Sequence, residues 1–228
     1  MAIDIKTKIW FCLHTLMVCA GIASIILSFK VPVKSFFGLL AEIALYCFCI
    51  YNEFSQQQQK PKVINIILMN YSIHIVVMCV VYMIFGGAPI PWLLVLTFSS
   101  LYQFITFLNY NIQPSSPLLP IIRKIATKLT PQTSQQILVL FELMNIMPLI
   151  KTPSPIYRPI LFVIYLLWYI LYRYATDRIH QMIWAQYKNQ ILGFASKLPA
   201  FLSKLINAFL SQISQLGKLA FKIYRIRN

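Results

Sequence analysis

A chain of 228 residues that is 59% hydrophobic and only 11% charged is not a soluble domain of ordinary composition. At about twenty apolar residues per crossing, its length admits one bundle of roughly four to six membrane helices. The formal charge of +15 would suggest nucleic acid in a soluble protein, but here the basic residues lie between and after apolar runs, where membrane topology accounts for them and nucleic-acid binding does not.

The start, Met1 to Lys8, leads into an apolar stretch without a small-residue cleavage pattern and reads as a retained first span from about Ile9 to Phe29. An Arg- and Ser-rich, acid-poor transit peptide is not evident either. After Lys30-Val-Pro-Val-Lys34 a second span is expected from about Ser35 to Tyr51, the short connection making an antiparallel hairpin. Asn52 to Lys62, with its glutamine run Gln56 to Gln59, reads as a solvated loop. A third span is expected from Val63 to about Phe85, a Gly/Pro turn over Gly86 to Pro91, and a fourth span from Trp92 to about Leu108.

Residues 109–135 are polar and Pro-containing, but Leu118 to Leu129 alternates apolar groups with Arg123, Lys124 and Lys128 and predicts a helix at the membrane interface. Thr133-Ser-Gln-Gln136 is placed to cap a helix over Ile137 to Ile150. That helix is short for a crossing and carries Glu142 and Asn145. One central ionised group costs roughly 2 to 3 kcal/mol, against a few tenths gained per apolar residue. With the apolar run Ile156 to Leu171 it forms an expected helical hairpin, spanning or re-entrant.

The remainder, 176–228, reads as basic helices outside a membrane bundle occupying 1–175. Asp177 is placed to cap a helix over about Arg178 to Leu192, beside Arg173 and Arg178, which read first as the start of a solvated helix and alternatively as contacts to headgroups or a partner at the exit from the membrane. From Gly193 on, Leu198, Leu202, Leu205, Phe209, Ile213, Leu216, Ala220 and Ile223 recur at helical spacing. Lys197, Lys204, Lys218, Lys222, Arg225 and Arg227 accompany them with no acid. This predicts an in-plane helix on an anionic leaflet, with packing against the protein's own bundle or a partner as the even alternative. With the N-terminus cytosolic, sixteen of the twenty Lys and Arg residues fall on the cytosolic side, so both termini are expected there.

Intramembrane polar groups are where transport or catalysis would sit, because each is costly. They are Glu42, His74, Glu142 and Asn145, and a small transporter using Glu42, His74 and Glu142 is one alternative reading. His14, His74 and His180 are scattered and make no metal site. The five cysteines, Cys12, Cys19, Cys47, Cys49 and Cys79, lie in apolar runs without metal-ligand or disulfide spacing and read as small buried hydrophobes. Trp10, Trp92, Tyr102, Tyr110, Tyr157, Trp168, Tyr169, Tyr172, Tyr174, Trp184 and Tyr187 crowd the span ends and read mostly as interface anchors. No nucleophile elbow, P-loop or zinc-protease helix is present, which points away from an enzyme.

Four stretches carry a resemblance. They are Asn70 to Phe104 with Pro91-Trp-Leu-Leu-Val-Leu-Thr-Phe-Ser-Ser-Leu101; Pro117-Leu-Leu119 with Lys128-Leu129, Gln135-Gln-Ile-Leu138, Glu142 and Met147-Pro148; Tyr172-Arg173-Tyr174; and the basic tail. In that order they resemble the transmembrane protein 33 or Krüppel-homologue family, which includes fungal pore-membrane proteins. The resemblance implies an endoplasmic reticulum or nuclear-envelope protein associated with curved membrane, tubule-shaping proteins and pore assemblies, with no catalytic residues and no cofactor. The expected architecture is all-α: about four spans, a short helical hairpin and a cytosolic amphipathic tail. An accessory structural subunit of a large membrane complex, such as a respiratory complex of the mitochondrial inner membrane, is the rival expectation.

Overall fold

The computed structural model describes residues 4–30, 36–56, 70–85, 88–113, 115–145 and 157–225, and every regular element among them is helical. In chain order these are α1 (Ile5–Lys30), α2 (Phe36–Gln56), α3 (Tyr71–Ile84), α4 (Ile90–Asn111), α5 (Leu119–Lys128) and α6 (Pro131–Met144). A continuous rod follows, made of α7 (Tyr157–Ile164), a π-helical stretch (Tyr165–Ile170) and α8 (Leu171–Thr176). Helices α9 (Arg178–Ala195) and α10 (Ala200–Arg225) complete the chain.

Helix starts are set by capping chemistry. Asp4 accepts from the backbone N–H and hydroxyl of Thr7 at 2.7 and 2.9 Å, Asn70 from Ile73 N–H, and Asp177 from Ile179 and His180 N–H. Thr130 caps α6 through Thr133 N–H at 3.1 Å, with Pro131 at the start of the helix. The helix therefore begins before the Thr133-Ser-Gln-Gln136 cap read from the sequence. A Thr-Pro pair is the stronger start signal, because Pro131 gives up no hydrogen bond in the first turn.

Four helices are long and apolar enough to cross a membrane: Ile5–Leu27, Phe36–Ser55, Ile90–Asn111 and Pro159–Thr176. This is a membrane protein, and three of its long helices coincide with expected spans while the fourth comes from the hairpin expected as spanning or re-entrant. The last of them was expected as the end of a short hairpin, whereas the helix continues through Arg173 to Thr176 because that arginine is neutralised internally. The expected third span is represented by α3, 14 residues long, and residues 63–69 lie outside the described residues.

The starts of α1 and α3 and the ends of α2, α4 and α8 share one end of the bundle. Lys6 donates to Ser55, Asn70 to Glu53, Trp10 and Phe11 meet Phe107, and the Arg173 guanidinium lies over the Tyr71 ring. Helix α6 enters from this end and runs antiparallel to α7 and α8, with Gln135 beside Arg173 and Glu142 beside Tyr165 and Tyr169. Its 14 residues reach about 21 Å, to where Asn145 meets Tyr82 of α3.

The core is formed by Met17, Leu39, Leu45, Met78, Trp92 and Leu96, among others, with Leu161 from the last rod. Two glycines let the first helices close on their neighbours. A Cβ on Gly21 would run into Thr97 Oγ1 of α4, and one on Gly38 would lie 3.1 Å from Ser24 Oγ of α1. The cysteines depart from expectation: Cys79 is buried, Cys49 half-buried, and Cys12, Cys19 and Cys47 face outward. In a membrane bundle the outward face is also apolar, so hydrophobicity alone does not place a side chain inside.

Candidate functional site

Among the described residues an extended buried polar network is centred on Glu142. Its carboxylate Oε1 accepts from the Tyr169 hydroxyl at 2.8 Å and lies 3.4 Å from Arg173 Nε. Oε2 lies 3.5 Å from His180 Nε2, and the Glu142 carbonyl accepts from the Tyr165 hydroxyl at 2.8 Å. Arg173 also donates through Nη1 to Asp177 and through Nη2 to Gln135, both at 3.0 Å. One turn deeper, Asn145 donates to the Tyr82 hydroxyl at 2.7 Å. Glu142, Asn145 and His180 are 1%, 0% and 0% exposed, so water does not compete for these bonds.

The π-helical stretch places these groups in line. Four α-helical residues overshoot a full turn by about 40°, whereas four π-helical residues, at about 4.4 per turn, stop about 30° short. The π step from Tyr165 to Tyr169 and the α step from Tyr169 to Arg173 therefore nearly cancel. Three polar groups eight residues apart end up in one row facing α6.

This network corrects the expectation for Arg173. It is buried, donates to Asp177 and Gln135 and pairs with the Glu142 carboxylate, with Tyr71 beneath its guanidinium, and does not face headgroups; Arg178 is exposed. An arginine at this depth is tolerated when acids and the edge of an aromatic belt replace its hydration. His180 is held neutral, well below its usual pKa, by burial and by the nearby Arg173 charge. The Glu142 charge 3.5 Å away is already matched by Arg173.

Three supposed interface aromatics belong to the interior. Trp92 and Tyr169 are fully buried and meet edge to face at 5.0 Å, and Tyr172 stacks on His74 at 3.6 Å. His74 Nδ1 lies 3.2 Å from the Trp168 carbonyl. Glu42 is buried in α2, and neither of its carboxylate oxygens has a hydrogen-bond partner among the described residues. Among those residues no three His, Cys, Asp or Glu side chains come together as metal ligands. His14, in α1, packs against Trp10 at 4.3 Å.

The second candidate surface is the tail. Helix α10 packs on α8 and α9 by one face, through Ile206, Leu210, Ile213 and Gly217. A Cβ on Gly217 would come 2.8 Å from the Tyr174 ring, Leu216 joins Leu171 and Tyr172, and Lys188 of α9 donates to Ser214 at 2.9 Å. About a third of a turn away stand Lys204, Lys218 and Lys222, all exposed. The remaining sector carries Phe201, Leu205, Phe209 and Leu219, 75%, 58%, 65% and 50% exposed, with Leu202 beside them.

The expected stripe is thus divided along the helix as well as around it. Leu216 packs on Leu171 and Tyr172 although it lies within about 20° of Leu205 and Phe209 around α10, and those two, nearer the start of the helix, face away from the body. Lys197 is exposed in the turn before α10, Arg225 is the last residue of the helix, and Arg227 lies outside the described residues. Compared with protein-family models, curated proteins and solved structures, the chain matches none.

Proposed function

We propose that the protein is a non-enzymatic organiser of endoplasmic reticulum and nuclear-envelope membrane, which shapes or senses curvature and scaffolds other membrane proteins. One observation carries this reading: α10 is fixed to the bundle by part of its apolar surface and leaves another part, Phe201, Leu205, Phe209 and Leu219, outward beside a ridge of lysines. Folding alone does not require that outward part. It lies on a helix docked against α8, where the last candidate span ends, which supports a seat near headgroup level.

A helix seated there wedges its apolar side chains under the headgroups of one leaflet, while lysines meet anionic lipid at about 1 kcal/mol each. Expanding one leaflet alone favours a curved bilayer. The charge count supports the cytosolic leaflet for the tail. The family resemblance supports the organelle and the class of partner, tubule-shaping and pore proteins. The buried Glu142 network is then a structural clasp that holds α6, α8 and α9 together, so that the tail is presented at a fixed depth.

The organelle is tested by imaging full-length protein tagged at its N-terminus against reticulum, nuclear-envelope and mitochondrial markers. A reticular or nuclear-rim pattern is expected. A mitochondrial pattern, with co-migration in a large complex on a native gel, would replace this reading by that of an accessory subunit.

A further inference from the structure

Helix α5 repeats the three-sided design of α10 in miniature, at a different place in the chain. It packs against α4 through Leu119 and Ile122, both under a tenth exposed. Leu118, Ile121 and Ile125 point outward at 55%, 57% and 40% exposure, although the bundle offers them no cover. Arg123, Lys124 and Lys128 occupy the rest of the circumference, all exposed. At about 100° per residue, Ile121 and Ile125 lie within about 40° of each other, and Thr127 falls more than about 100° from either.

Ten residues reach about 15 Å, half a hydrocarbon core, so α5 is no crossing. An outward apolar row would be a liability in water, and three cations would be one in hydrocarbon. Only the boundary between the two satisfies both.

The chain gives this boundary a sign: between Glu53 and Glu142 the sequence has no acidic residue, and the ion pairs among the described residues involve none of the three cations of α5. Its position agrees. The helix follows the end of α4 and precedes the start of α6, and both lie at the end of the bundle that holds Tyr71, Arg173 and the base of the tail.

We propose that α5 is a second, independent foot of the protein on the membrane. In this role Leu118, Ile121 and Ile125 enter the same leaflet that α10 addresses, and Arg123, Lys124 and Lys128 bind its anionic headgroups. The inference rests on the same placement of the α8 end at a lipid surface, but not on the tail. It makes leaflet expansion a two-point effect, with wedges delivered by α4 and by α8. Two separated wedges on one rigid bundle enlarge the leaflet over a broader patch than one helix does, and detaching either leaves the other engaged.

The test uses native full-length protein in nanodiscs of phosphatidylcholine, with or without phosphatidylserine, doped with a lipid carrying a photoactivatable diazirine at a shallow acyl position. Adducts are mapped by mass spectrometry. Labelling at Leu118, Ile121 and Ile125 is expected to exceed that at Thr127 by about threefold or more, and to rise with phosphatidylserine. The exposed triple variant Arg123→Gln/Lys124→Gln/Lys128→Gln is expected to abolish the rise while labelling at Leu205 and Phe209 stays unchanged. Labelled α10 with unlabelled α5 overturns the second foot and leaves the tail reading intact. Labelling of neither, with outward Leu16 and Ile22 of α1 labelled as the positive control, overturns both.

Discussion

Replacing Arg173 by Met tests whether the buried network is the clasp of the bundle. The methionine keeps much of the side chain's length and apolar stem but removes the guanidinium. Three partners then lose the guanidinium: Glu142 Oε1 loses its ion pair at 3.4 Å, and Asp177 Oδ2 and Gln135 Oε1 each lose a hydrogen bond at 3.0 Å. Asp177 is partly exposed and retains its capping bonds to α9, so its share is below about 1 kcal/mol. Glu142 keeps only Tyr169 as a hydrogen-bond donor to its carboxylate, inside a site without water. Breaking such a buried pair costs about 3 to 5 kcal/mol. For a chain of this size that corresponds to a melting temperature lower by roughly 6 to 20 °C.

The double variant Glu142→Gln/Arg173→Met removes both charges and is expected to be more stable than Arg173→Met, because no buried charge remains unpaired. Thermal unfolding of the four proteins of this cycle, purified in one detergent or nanodisc, measures the coupling. A coupling of at least about 1 kcal/mol is expected. Additive effects, or an Arg173→Met loss within about 0.5 kcal/mol, would refute the reasoning and return Arg173 to the surface role that the sequence suggested.

The two faces of glycine usage give opposite signs. Gly21→Ala is expected to destabilise by forcing α1 away from Thr97. Gly193→Ala, which meets nothing within 4 Å, is expected to stabilise α9 by up to about 1 kcal/mol; thermal unfolding of both checks this. Gly217→Leu is expected to lift α10 off Tyr174 and to speed limited proteolysis of the tail, while trypsin sites in the bundle remain protected. His180 is neutral in the folded chain and gains its proton only on opening. Below about pH 6.5 the unfolded form therefore binds more protons, and stability falls as the pH falls, by about 1.4 kcal/mol per unit. Between pH 6.5 and 5 this amounts to about 2 kcal/mol, and His180→Gln is expected to lack that part of the slope in unfolding measured across the range.

Much of the architecture was legible because period and length survive in one sequence. The expected helices over Leu118 to Leu129 and from Arg178 on coincide closely with α5 and α9, and the Asp177 cap is the one the structure uses. What the sequence concealed depends on contacts between distant segments. Glu142 looked too costly to sit in a crossing, since Tyr169, Arg173 and His180 lie roughly thirty to forty residues further along and become its partners only after folding. The spacing of Tyr165, Tyr169 and Arg173 at four-residue steps was a usable signal, but ordinary helical geometry smears it by about 80° and only the π stretch straightens it. The tail misled in another way. Hydrophobic periodicity reports how wide an apolar sector is, not which part of it touches the body, so side chains serving different neighbours read as one stripe.

The account stands most directly on what Phe201, Leu205, Phe209 and Leu219 touch. The deciding measurement is the partition of full-length protein, reconstituted in anionic vesicles sorted into small and large sizes, compared with that of Leu205→Glu/Phe209→Glu. Because both residues point away from the bundle, the variant is expected to fold with an unchanged melting temperature. Enrichment of the native protein in the small vesicles, lost in the variant, is the predicted result. Equal partition of the two proteins at every vesicle size would contradict the wedge and with it the proposed function.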